Sequence, residues 1–202
     1  DAEREFTRKS LSRSGPVTLV HSGVLYPQER DPRPFFAALQ ALKESAEIST
    51  NTLRVVLRAT GSDDLYRQML DQYGIADLVE LAPSTAYRAA LQEMLSADGL
   101  LLFQAAMCNH QIPAKLYEYF RAGRPILALT DPLGNTAETL RKAGAMDIVN
   151  IADERDIAVG VRGFLAGLRC GRIYGVRTEV AELNSRRSRT AELAQMLNAV
   201  AS

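Results

Sequence analysis

Short apolar runs alternate along the chain with stretches in which apolar residues recur every three or four positions. Residues 17–21 (VTLVH) form one such run, closed by Ser22 and Gly23, and read as a buried strand. Beyond Pro27, Pro32 and Pro34, the residues Phe35, Ala38, Leu39 and Leu42 fall at i, i+3, i+4 and i+7. That spacing marks an amphipathic helix, entered through prolines that a first turn tolerates. The alternation then gives a strand over 53–59 ending at Thr60-Gly61, a helix marked by Tyr66, Met69, Leu70 and Tyr73, and a strand over 77–81. Ser84 is placed to cap a helix carrying Tyr87, Ala90, Leu91, Met94 and Leu95 on one face. Residues 99–103 (GLLLF) lack polar alternation, as a central strand covered on both sides does. Pro113 leads into a helix over 114–122 that Gly123 stops, and strands follow at 125–129 and 147–149. Ile157, Val161, Phe164, Leu165 and Leu168 mark a further helix. Residues 176–199 read as one long helix, with Arg186, Arg187 and Arg189 ahead of Leu193, Met196, Leu197 and Val200.

Strands alternating with helices, several of them continuous apolar runs, specify an α/β fold. The expected architecture is a single Rossmann-like, doubly wound parallel sheet with a long C-terminal helix. Three parts follow: a polar linker or arm at 1–15, the Rossmann-like domain at 16–170 and a helical extension at 171–202. A chain of 202 residues is ample for one hydrophobic core, and 47% hydrophobic with 24% charged residues is an ordinary globular composition. Twenty-four basic residues balance 24 acidic ones, which excludes a protein held to nucleic acid or an acidic membrane by bulk charge. A local anion site stays compatible with that balance. Cys108 and Cys170 lack CxxC spacing and read as free thiols of a reducing, cytoplasmic compartment. The opening Asp1-Ala2, without methionine, is expected of a processed chain or of a piece of a longer one.

In an open parallel sheet, ligands bind beyond the carboxyl ends of the strands, where helix N-termini present free amides. Four loops are placed there. After the first strand, Gly23 permits close backbone approach and Arg30 suits a phosphate; the plainer reading is a tight turn with a surface arginine. Thr60-Gly61-Ser62-Asp63 reads as a glycine turn followed by helix capping. Pro83 and Ser84 border a slot for a base, or serve only the helix start. The fourth loop, NHQIPAKLYEYFRAGRPIL from Asn109, says most. Lys115 stands in the first turn of its helix, where a cation opposes the helix dipole and needs another reason to be there. Glu118, three residues on, shares its face. Lys115 and the first free amides of the helix suit a diphosphate, and Glu118 suits two ribose hydroxyls; a solvated Lys/Glu pair is the plain alternative. His21, at a strand tip, reads as a half-buried polar end, with a role beside phosphate as the minor reading. The sequence has no GxGxxG, no GxxxxGK[ST] and no GxSxG, and His21 and His110 are its only histidines, so no metal cluster is expected and no catalytic residue stands out.

The segment IPAKLYEYFRAGRPILAL resembles the donor-binding helix of GT-B glycosyltransferases of the glycosyl transferases group 1 (GT4-like) family. Glu118, Ala122-Gly123 and Pro125-Ile126 match the second half of that family's E-x7-E pattern. HSGVLYPQERDPRPFFAAL, ADGLLLF, DPLGNTAETLRKAG and the tail SRRSRTAELAQML are similar to other parts of its C-terminal domain. The resemblance implies the C-terminal, donor-binding half of a retaining, metal-independent enzyme without a cofactor, its donor a UDP- or GDP-sugar. It places the donor against Gly23, Arg30, Pro83, Ser84, Pro113, Ala114, Lys115 and Glu118. His110 stands where the family often has the first glutamate, and Val24 where it commonly has arginine. The implied partner is an N-terminal domain of the same polypeptide that binds the acceptor. The basic last helix would then face that domain or a membrane surface, a plain solvated face being the simpler reading. A sugar-nucleotide 2-epimerase and a non-catalytic Rossmann-like binding module are the competing readings.

Overall fold

A computed structural model describes residues 15–172, 175–176, 178–183 and 186–201. The arm expected at the start of the chain lies outside the described residues, except for Gly15. Six parallel strands make one sheet in the order β3-β2-β1-β4-β5-β6. They are β1 (Val17–Ser22), β2 (Leu53–Arg58), β3 (Val79–Ala82), β4 (Gly99–Gln104), β5 (Ile126–Thr130) and β6 (Ile148–Val149). The expected doubly wound, Rossmann-like sheet is therefore what the chain forms.

Alternate strand positions feed two apolar layers. Leu19, Val55, Leu101, Phe103 and Leu127 pack with α1 (Arg33–Glu44), α2 (Asp63–Gln72) and α6 (Glu154–Arg169). Val20, Val56, Leu100, Leu102 and Ala128 pack with α3 (Tyr87–Ser96), α4 (Ala114–Ala122) and α5 (Asn135–Lys142). All six residues of β4 are buried, as a strand with helices on both faces requires. Gly123 ends α4 in the left-handed conformation, φ 61°.

Three local expectations are corrected. Ser84 does not cap α3: the helix starts at Tyr87 behind Ala86, no side chain caps it, and Ser84 stands exposed on the preceding loop. The segment after β5, given no helix by periodicity, forms α5; its buried stripe is only Thr136, Ala137 and Leu140, too short to repeat. The single long helix expected at 176–199 is instead α7 (Thr178–Leu183) and α8 (Arg186–Ala201), of which α8 is the long C-terminal one. Leu193, Met196, Leu197 and Val200 of α8 are exposed. No helix among the described residues is long and apolar enough to cross a membrane.

The strand order reverses between β1 and β4, and a sheet of this kind opens its ligand crevice at that reversal, beyond the carboxyl ends. The β1–β4 ladder pairs only Leu19 with Gly99 and Val20 with Leu100. One step further the strands part, and side chains take over the backbone groups that the ladder leaves.

Candidate functional site at the β1–β4 crevice

The crevice is built from the end of β1, the loop after it and the first turn of α4. Ser22 donates its N–H to the Tyr119 hydroxyl (3.1 Å), which in turn donates to the Leu101 carbonyl (3.2 Å). The same carbonyl accepts from His21 Nδ1 at 3.0 Å. A carbonyl can only accept, so Nδ1 carries the ring proton and Nε2 is left as an acceptor. Lys115 Nζ supplies the donor there, at 3.1 Å.

His21 is fully buried rather than half-buried, and its ring meets Phe103 edge-on, centroids 5.2 Å apart. Burial, with the Lys115 charge second, pushes its pKa down to about 3, so the imidazole is neutral at physiological pH. Burial also pushes the Tyr119 hydroxyl up, keeping it protonated as the donor that Leu101 needs.

Gly23 follows β1 at φ +109°, and a Cβ there would stand 3.2 Å from Lys115 Nζ. The missing side chain is what lets the lysine lie over this backbone. Arg30 comes from the loop after Gly23: its Nη1 donates to the Val24 carbonyl at 2.8 Å, and its guanidinium lies over the Tyr26 ring at 5.3 Å. Its Nε is buried without a hydrogen-bond partner. Burial, with the Arg30 charge second, lowers the Lys115 pKa to about 7, Glu118 partly opposing both. Among the described residues neither Lys115 nor Arg30 has a carboxylate within ion-pair distance. Two cations thus share one crevice with a single acid nearby, an arrangement open to an anion.

Pro113 occupies the N-cap of α4, and no side chain accepts from the helix's first amides. The loop before it is clamped from the next strand. Asn109 Nδ2 donates to Asp131 Oδ2 (2.6 Å), Asn135 N–H to the Asn109 carbonyl (3.2 Å), and Thr136 Oγ1 to the Gln111 carbonyl (3.1 Å). Asn109 and the Leu133 amide hold the Asp131 carboxyl below its usual range.

Of the residues expected at a site, Gly23, Arg30, Lys115, Glu118, Pro113 and Ala114 come together here. Pro83 and Ser84 are exposed beyond β3, two strands from β1 and so about 10 Å away. The Pro83 carbonyl accepts from Arg58 Nη1 at 2.6 Å. His110 is exposed on the clamped loop and makes no hydrogen bond to the described residues. Sequence reasoning missed Tyr119, which looks like one more core position of α4, and the Asn109–Asp131 clamp. Only the Asp-Pro-x-Gly turn after an apolar strand hinted at that clamp.

No known protein-family profile matches the chain, and no curated protein matches it in sequence. Solved structures do match in fold. Sucrose-phosphate synthase from Thermosynechococcus elongatus superposes with TM-score 0.64 at 12% identity, covering 94% of this chain and 46% of that one. The pneumococcal O-GlcNAc transferase GtfA, solved with UDP and GlcNAc, gives TM-score 0.59 at 15% identity over 96% of this chain and 38% of its own. The α,α-trehalose 6-phosphate synthase from Burkholderia multivorans gives 0.60 at 14% over 93% and 44%. The chain shares the fold of part of each of these three glycosyl-transferring enzymes, spans less than half the length of each, and at such identities the likeness is one of architecture.

Proposed function

We infer that this chain is the donor-binding half of a retaining glycosyltransferase that uses a UDP- or GDP-sugar and needs neither metal nor cofactor. The observation that carries the reading is the pair of basic side chains at the strand-order reversal, Lys115 lying over Gly23 and Arg30 close enough to repel its charge, without a carboxylate partner. A nucleoside diphosphate supplies the missing charge: its phosphates take Lys115, Arg30 and the first amides of α4. Glu118, on the lysine's face of α4, accepts from two ribose hydroxyls. Pro83 and Ser84 border the base, and His110 faces the donor sugar. The acceptor belongs to an N-terminal domain of the same polypeptide, closing over this crevice.

Calorimetric titration of UDP and GDP into the chain and into Glu118→Ala tests the reading. The parent binds one of the two. The variant loses about 1.5–3 kcal/mol, roughly 10- to 100-fold, as expected for a carboxylate holding two hydroxyls. A parent that binds neither nucleotide, or a variant that binds as well as the parent, overturns it.

A further inference from the structure

His21 spends both ring nitrogens inside the protein, and only one of those bonds serves the fold. Nδ1–H closes the gap between β1 and β4 on the Leu101 carbonyl, which fixes the ring's plane and tautomer. The edge-on contact with Phe103 fixes it a second time. Nε2 is therefore aimed, and what it meets is Lys115 Nζ at 3.1 Å. Among the described residues this is the lysine's one hydrogen bond. An ammonium has three donors, so two remain for a ligand. Without an acceptor at that point, a four-carbon side chain beside a glycine has many rotamers to choose among, and the nearby Arg30 charge drives it outward.

We propose that His21 is a positioning residue for the nucleotide site: it holds the Lys115 ammonium over Gly23 so that two N–H groups face the diphosphate. The inference rests on the diphosphate reading above and adds to it the buried residue that fixes the cation's place. The groups facing this pair are Arg30 and the Gly23 backbone from the β1 loop, Glu118 and Tyr119 from α4, and the Leu101 carbonyl from β4. None of them offers Lys115 a second acceptor at hydrogen-bond distance, so His21 has no substitute.

The test is a double-mutant cycle read by UDP and GDP calorimetry on the chain. His21→Phe keeps the ring against Phe103 and removes the acceptor; His21→Gln restores an acceptor at about the Nε2 position. His21→Phe weakens the bound nucleotide about tenfold, His21→Gln recovers most of that loss, and His21→Phe with Lys115→Met binds no worse than Lys115→Met alone. Additive losses in the double variant, or His21→Phe binding like the parent while Glu118→Ala does not, overturn the positioning role and leave the nucleotide reading standing. A parent that binds neither nucleotide sinks that reading instead. A second measurement needs no variant: imidazole nitrogen NMR shifts of the unliganded chain show Nδ1 protonated and Nε2 as acceptor. A ring protonated at Nε2 overturns the proposal whether or not the variants fold.

Discussion

Lys115 shows how burial and a neighbouring charge give a surface-type residue a titration in the neutral range. With its pKa lowered to about 7, the side chain is charged in the unliganded fold below that pH and neutral above it. A bound diphosphate favours the charged form, so binding above pH 7 takes up a proton. From about pH 7.5 to 8.5, where the phosphates of UDP are ionised and its uracil keeps the N3 proton, affinity is expected to fall with rising pH, by at most about tenfold per unit. Calorimetry in two buffers of different ionisation enthalpy checks the proton uptake, and Lys115→Arg abolishes the slope. His21 works in the other direction. Its folded pKa of about 3 lies below the ordinary value of 6.5, so the unfolded chain binds the extra proton between those limits. Stability therefore falls as pH drops from 6.5 toward 3, and thermal melts of His21→Gln lose less between pH 7 and 4 than the parent does. Gly23→Ala combines a φ of +109° with a Cβ at 3.2 Å from Lys115 Nζ. It is expected to destabilise the fold by roughly 1–3 kcal/mol in denaturant titration and to displace the lysine, weakening nucleotide binding as well.

At the scale of elements, the loop that presents α4 is held by the one that starts α5. Gly134 makes this possible: a Cβ there would stand 2.5 Å from Asn109 Oδ1, the side chain bound to Asp131. Gly134→Ala must push Asn109 off Asp131 and loosen the approach to the first turn of α4. The expected outcome is faster amide exchange across 109–113, with the amides of β4 and β5 unchanged. Equal protection in parent and variant shows that the loop does not depend on the clamp. The helix starts differ in the same spirit. Asp153 caps α6 through its own carboxylate, which accepts from the amides of Arg155 and Asp156. α4 begins on a proline whose side chain offers no acceptor, and no side chain caps its first amides.

For the molecule as a whole, the reversal of strand order decides where chemistry is available. It brings the ends of β1 and β4 side by side although about 80 residues separate them, and β5 lies next along with its clamping loop. The apolar layers on the two sides of the sheet hold these strand ends in place. On the donor-binding reading, the chain binds the nucleotide but supplies only one wall of a cleft. Incubated with UDP- or GDP-sugars and simple sugar acceptors, it is expected to release no nucleotide and transfer no sugar, as product chromatography will show. Turnover by the chain alone would mean that one wall is enough.

How much of this was legible beforehand follows from what sets each feature. The strand runs, the helix faces, the Gly123 stop and the α/β class are local: apolar spacing and glycine conformation decide them, and neighbouring residues carry the signal. Lys115 and Glu118 were likewise legible, because a cation in a first helical turn conflicts with the helix dipole within a few residues of chain. Ser84 and α5 went otherwise, since a cap and a short helix depend on where the chain is drawn in by packing. His21, Tyr119 and the Asn109–Asp131 clamp belonged wholly to the tertiary structure. Their partners lie 80, 97 and 22 residues away, and only the parting of β1 from β4 leaves the Leu101 carbonyl and the Ser22 amide for His21 and Tyr119 to satisfy.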